Sequence, residues 1–277
     1  MGYIPVNIDK SIEKECKRRR YSERTTKTYL CCINKFLRWC NKDLGKISKM
    51  DVRLFLEKMS EEERSGNTMN VYHMAIRFLF ENSLKKKMWV NIRYSKVPEK
   101  LPIVLTKEEI KKLFESIENY KHKLMVQLMY SSGLRVSELL NLKIKDLEEN
   151  YGFVRRGKGN KDRIFIIATS LKDEIKSLIE KEKLDGGSYL FKSNRNKKFS
   201  ARTLQQILKK AAKTSKIIKE VHPHTLRHSF ATHLIENGYT VSDVQSLLGH
   251  KSPETSMIYV HTAKPNMIKI KSPIDNL

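Results

Sequence analysis

Apolar residues recur at helical spacing through the first 90 residues. Tyr29, Ile33, Phe36, Leu37 and Cys40 form one stripe, behind Ser22 as a helix-capping residue. Ser48 and Asp51 make a capping-box pair ahead of Val52, Phe55, Leu56 and Met59. Met69, Tyr72, Ile76, Leu79 and Phe80 form a further stripe, and an earlier helix is expected over Ile8 to Arg19. The prediction is a four-helix unit with its stripes in the core and its basic residues outside. The periodicity then fails from Asn91 to Val104, where Pro98 and Pro102 interrupt a polar stretch, as in a linker. Thr106 and Glu109 complete a second capping box and start a new helix.

Beyond residue 105 the pattern mixes periods. Lys123 to Ser132 reads as a buried helix stopped by Gly133, a residue suited to a left-handed C-cap. A short helix follows over Arg135 to Leu142. Tyr151 to Arg156 and Asp162 to Ile167 read as strands, and Gly157-Lys158-Gly159-Asn160 between them reads as a hairpin connection with Lys158 at its tip. Helices are expected again over Leu171 to Lys183, Ala201 to Ser215, Thr225 to Asn237, Val241 to Leu248 and Pro253 to Val260. The fold class is therefore mainly α with a small antiparallel β-sheet in the C-terminal half.

Charge changes this picture from architecture to partner. The chain of 277 residues holds 55 Lys+Arg against 31 Asp+Glu, a net +24. Residues 1–100 contribute +11 and the remainder +13, so both halves carry the surplus and a basic tail on a neutral body is excluded. This is the electrostatic footprint of a protein that binds a polyanion such as a nucleic acid. Candidate DNA-contacting residues are Arg18, Arg19, Lys27 and Arg77 in the first half. Arg202, Lys209 and Lys213 lie in a stretch, Phe191 to Glu220, with ten basic residues and one acidic. No apolar run is long enough to span a membrane, and the first ten residues lack the apolar stretch of a signal peptide, so a cytoplasmic, membrane-free protein is expected. Cys16, Cys31, Cys32 and Cys40 make no C-x-x-C pair and read as core thiols; no metal site is expected.

Several residues carry candidate chemistry. His224 and Arg227, three apart behind Pro223, share a helical face near a helix start, where free N–H groups already attract anions. Leu226, Phe230 and Leu234 would line the opposite, buried side. Arg135 sits at another helix start, with Glu138 as its ordinary partner. Gly249 can close one helix and Ser252-Pro253 can open the next, with His250 in the corner and Tyr259 nine residues on. Taken singly, each admits a plain structural role.

Together they are specific. The stretches GLRVSELLNL, GKGNKDR, HPHTLRHSFATHL and LLGHKSPETSMIYVH carry Arg135, Lys158, His224, Arg227, His250 and Tyr259 in order. The chain here resembles the tyrosine recombinase (phage integrase) family, closest to the Xer type of chromosome-dimer resolvases, with an archaeal Xer as the kind suggested. The resemblance implies a helical core-binding (SAM-like) domain over 1–90, a linker over 91–104, a catalytic domain over 105–261 and a tail over 262–277 that docks on a neighbouring subunit. Lys158 rather than Lys161 is the lysine between two glycines, as the family's is. The implied reaction is strand cleavage and rejoining of double-stranded DNA through a 3′-phosphotyrosyl link. Arg135 and Arg227 would clamp the phosphate, His224 would act as base, Lys158 as general acid, His250 as a phosphate donor and Tyr259 as nucleophile. No cofactor, metal, ATP or small-molecule substrate is implied, and the family's assembly is a homo-oligomer, a tetramer on two duplexes. The alternatives are a viral or mobile-element integrase with the same chemistry, over which the absence of an extra N-terminal arm-binding module mildly favours the simpler Xer type, a type IB topoisomerase, and a DNA-binding protein without catalysis.

Overall fold

The computed structural model describes residues 7–86, 95, 101–155, 162–193 and 198–249. The chain divides into two compact units, Met1–Glu99 and Lys100–Leu277.

The N-terminal unit is built from α1 (Ile8–Arg18), α2 (Glu23–Cys40), α3 (Lys49–Glu61) and α4 (Gly66–Phe78), which runs into a π-helical turn, Leu79–Ser83. Ser22 caps α2 by accepting from the Thr25 amide, and Ser48 with Asp51 forms the reciprocal capping box of α3. The expected stripes are the core: Ile12, Ile33, Phe36, Val52, Phe55, Ile76, Leu79 and Phe80 are all buried. Phe36 lies edge-on to Phe55 at 5.2 Å and to Phe80 at 6.5 Å. The cysteines depart from the expectation: Cys16 and Cys32 are buried, whereas Cys31 is exposed. Cys32 stands beside Ile33 on the buried side of α2, and the further 100° step back to Cys31 leaves that side.

The C-terminal unit comprises α5 (Lys107–Glu115), α6 (Tyr120–Ser132), α7 (Val136–Asn141), β1 (Tyr151–Val154), β2 (Arg163–Ile166), α8 (Lys172–Lys181), α9 (Ala201–Thr214), α10 (Pro223–Glu236) and α11 (Val241–Leu248). Thr106 and Glu109 cap α5 as predicted. The strands pair antiparallel, Tyr151 opposite Ile166 and Val154 opposite Arg163, and are shorter than the sequence pattern suggests. The α6 helix is buried along much of its length by Leu124, Met125, Val126, Leu128 and Met129. It ends at Gly133, with φ +59°; a Cβ there would lie 2.5 Å from Phe230 Cδ1 and 2.8 Å from Leu248 Cδ2. Gly133 is therefore the point at which α6, α10 and α11 approach closely.

The α10 helix corrects an expectation. It was expected to be amphipathic, with Arg227 on a polar face. Instead Thr225, Leu226, Arg227, Ser229, Phe230, Ala231, Thr232 and His233 are all buried. Thr225, Arg227, Ser229 and His233 survive burial because each has a partner, whereas Thr232 Oγ1 has none among the described residues. Ser229 Oγ accepts from the Leu105 amide at 2.9 Å and donates to the Thr225 carbonyl at 2.8 Å. Tyr130 Oη and His233 Nδ1 lie 2.7 Å apart. No helix among the described residues is long and apolar enough to cross a membrane.

Candidate active site

The site grows from three helix ends. Gly133 turns the chain out of α6, and Arg135 becomes the N-cap residue of α7. Glu138, one turn into α7, reaches back to this cap: the Arg135 amide donates to Glu138 Oε2 at 2.8 Å, and Arg135 Nη1 donates to Oε1 at 2.7 Å. Glu138 is thus the partner expected for Arg135, but it has a second one. Arg163, the first residue of β2, donates from Nη2 to Glu138 Oε2 at 2.7 Å. The Glu138 and Arg163 side chains are 4% and 9% exposed, and that of Arg135 is 22% exposed.

Burial alone would raise the Glu138 carboxyl, but the Arg163 charge and the bonds from Arg135 outweigh it and hold the group below its ordinary value. Burial pulls Arg163 down against the opposing Glu138 charge; an arginine starts so high that it stays a cation.

Arg227 lies on α10 at 3% exposure. Its Nη1 donates to the Gly133 carbonyl and its Nη2 to the Leu248 carbonyl at 2.7 Å. The first bond ties α10 to the turn two residues before Arg135. The second holds the last turn of α11, which closes at Gly249 in the left-handed region, φ +61°. Arg163 Nη1 takes the neighbouring Leu247 carbonyl. The two C-terminal carbonyls of α11 are therefore capped by two arginines, a favourable use of cations at the negative end of a helix.

His224 is on the first turn of α10 and exposed. Its ring is 6.2 Å from that of His222, whose Nδ1 accepts from the Thr225 amide, and 6.3 Å from that of His228. Burial, with the nearby His224, Arg227 and His222 charges, pushes His228 down to about 4.

The structure thus brings Arg135, Arg227 and the α10 start into one neighbourhood. Lys158, His250 and Tyr259 lie outside the described residues. Arg163 was missed by sequence reasoning. Its signal is strand alternation: Phe165 is fully buried, so Arg163, two residues earlier, faces the same side.

The candidate DNA-contacting residues divide. Arg18 and Arg19 both bind Glu15, Lys27 binds Glu23, and Arg77 binds Glu81, all on exposed helix faces. Arg202, Lys209 and Lys213 are exposed on α9 and have no ion pair among the described residues. Nor do the described residues hold a cluster of three or more His, Cys, Asp or Glu fit for a metal ion.

Comparison with known proteins identifies the family. The profile of the phage integrase family matches residues 103–265, and that of the phage integrase N-terminal SAM-like domain matches residues 9–90. The chain belongs to the phage integrase family. It is 39% identical over 251 residues to the tyrosine recombinase XerA of Pyrococcus furiosus, covering 88% of this chain and 85% of that one. The crystal structure of a XerA recombinase superposes with a TM-score of 0.55 at 30% identity, covering 94% of this chain and 95% of that one. A XerH site-specific recombinase in a post-cleavage complex with its palindromic difH substrate gives a TM-score of 0.73 at 27% identity, covering 94% and 83%. The Xer-type resemblance read from the four sequence motifs and the mainly helical fold class both hold, and the chain is a site-specific tyrosine recombinase.

Proposed function

We propose that this recombinase cuts and rejoins duplex DNA with Arg135, Lys158, His224, Arg227, His250 and Tyr259, and that its task is the resolution of chromosome dimers in the cytoplasm. The observation that carries the site assignment is the buried Arg227. It spans the Gly133 and Leu248 carbonyls beside an Arg135 that Glu138 holds in place. The Arg135 guanidinium, on the N-cap residue of α7, and the Arg227 guanidinium, fixed between the Gly133 and Leu248 carbonyls, form a preorganised cationic cradle for one phosphodiester.

In the proposed step, Tyr259 Oη attacks phosphorus and its proton passes to His224. The bond from phosphorus to the 5′-oxygen breaks, and that oxygen leaves as a hydroxyl with a proton from Lys158. His250 donates to a non-bridging oxygen. The 3′-phosphotyrosyl bond conserves the phosphodiester, so attack by another strand's 5′-hydroxyl reverses the step without ATP. The two arginines supply the charge neutralisation that a metal ion supplies elsewhere. The exposed α9 cations, without acid partners among the described residues, favour that helix for gripping the DNA backbone. A tetramer on two duplexes, with the 262–277 tail docked on a neighbour, completes the proposal. The 39% identity to an archaeal XerA favours the Xer role over a mobile-element integrase.

The test is incubation with nicked suicide substrates bearing candidate sites, followed by a search for adducts and recombinants. Adducts that proceed to recombinants support the reading, adducts without recombinants favour a topoisomerase, and no adduct on any site overturns it. Lys158→Ala should regain cleavage on a substrate with a 5′-thiolate leaving group, which needs no proton; no recovery would count against the acid role.

A further inference from the structure

One side chain outside the proposed set of six links three of the segments that carry it. Arg163 opens β2, five residues after Lys158. Its Nη2 binds Glu138 at 2.7 Å, the same carboxylate that holds Arg135 at 2.7 Å. Its Nη1 binds the carbonyl of Leu247, three residues before His250. Gly249, the residue before His250, packs against the Arg163 stem: a Cβ there would lie 2.8 Å from Arg163 Cδ. That glycine therefore serves both the left-handed turn and the passage of this side chain.

We propose that Arg163 is a positioning residue of the recombinase. On the reading of the site given above, it sets the relative placement of the segments bearing Arg135, Lys158 and His250 without touching DNA. The chemistry suits arginine in particular. A planar fork can serve a carboxylate with one nitrogen and a carbonyl with the other, whereas a lysine is a single point charge. The cation is buried, so its bonds are not screened by solvent and its geometry is fixed by packing. Catalysis by preorganised charge is sensitive to such placement, and a displacement of about 1 Å costs about 100-fold in rate.

The experiment is single-turnover cleavage of a nicked suicide substrate by the full chain, comparing the parent with Arg163→Met and Arg163→Lys. Rate constant, burst amplitude and DNA affinity are read separately. The expected result for Arg163→Met is a rate constant down about 100-fold, with amplitude and affinity within about threefold of the parent. Arg163→Lys should fall between, because it keeps the charge and one contact. A merely structural role would instead lower the amplitude, the fraction of competent protein, and leave the rate constant of that fraction alone. Where Arg163→Met fails to fold, Arg163→Lys decides by the same criterion. Rate constants within about threefold of the parent, or a loss confined to amplitude, overturn the proposal. A parent chain that forms no adduct strikes the proposed function itself and is thereby distinguished from a failure of the Arg163 assignment.

Discussion

In the N-terminal unit, Arg18, Arg53 and Arg77 stay at the surface, and each reaches a carboxylate about one turn away along the chain. In the C-terminal unit, Arg163 and Arg227 are buried and bridge elements far apart in sequence, to Glu138 and Leu247 and to Gly133 and Leu248. Surface pairs of the first kind contribute little to stability and are screened by salt. Buried cations of the second kind are costly to desolvate and need fixed partners, which Arg163 and Arg227 find through their Nη atoms. On the proposed function, the first unit would hold DNA through many weak, replaceable charges. The second commits a few cations to fixed positions, as a reaction centre requires.

The largest expected effect tests the buried side of this contrast. Arg227→Ala deprives two backbone carbonyls of their donors and should lower unfolding stability by about 3–5 kcal/mol, measured by denaturant titration. Strand cleavage should fall at least about 100-fold beyond any loss of folded protein. A variant as stable as the parent would show that the arginine is not an anchor. Gly133→Ala should cost about 2–4 kcal/mol, since it places a Cβ in the left-handed region and 2.5 Å from Phe230. A neutral result would mean that α6, α10 and α11 do not meet there.

An intermediate effect concerns acid. His228 is held down at about 4 in the folded state, chiefly by burial, so its contribution to stability is complete above its unfolded value of about 6.5. It is lost as pH falls from there through about 4. In the N-terminal unit, Asp51 is held at about 2, first by Lys42 and then by Ser48, so its contribution survives to lower pH. Parent stability measured at pH 7 and pH 5 should therefore fall by about 1 kcal/mol more than that of His228→Gln, after allowance for the partly exposed ring. Equal falls would remove the difference between the units. The smallest effect lies at the surface. Arg202→Gln should leave the melting temperature unchanged and lower the slope of log affinity against log salt by about 1. Lys27→Gln should lower it less, because Glu23 already offsets that charge. Equal slopes would break the distinction between paired and unpaired cations.

The same contrast explains what the sequence made legible. The N-terminal unit follows local rules, so the Ser22 and Ser48 caps and the Phe36 and Phe55 stripes could be read directly, as could Gly133 and Gly249 as left-handed helix stops. The C-terminal site breaks those rules. Periodicity assigns a charged residue to a solvent face, and that logic put Arg227 outside when it is buried. It also passed over Arg163, because Ile164 and Ile166, the residues that look like core, are the exposed ones in β2. Bonds such as those from Arg227 to Gly133 and from Arg163 to Leu247 span 94 and 84 positions and leave no local signature. The six motif residues were found by their order along the chain, whereas the residues that hold Arg135 and Arg227 in place required the fold.

The central claim is that these arginines bind one phosphate for attack by Tyr259. The most direct measurement is peptide mapping of the adduct formed on a nicked suicide substrate, carried out with the parent and with Tyr259→Phe. The account predicts a DNA-linked peptide containing Tyr259 in the parent, and in the variant no adduct but affinity within about threefold. An adduct on another residue, or one that persists in Tyr259→Phe, would contradict it.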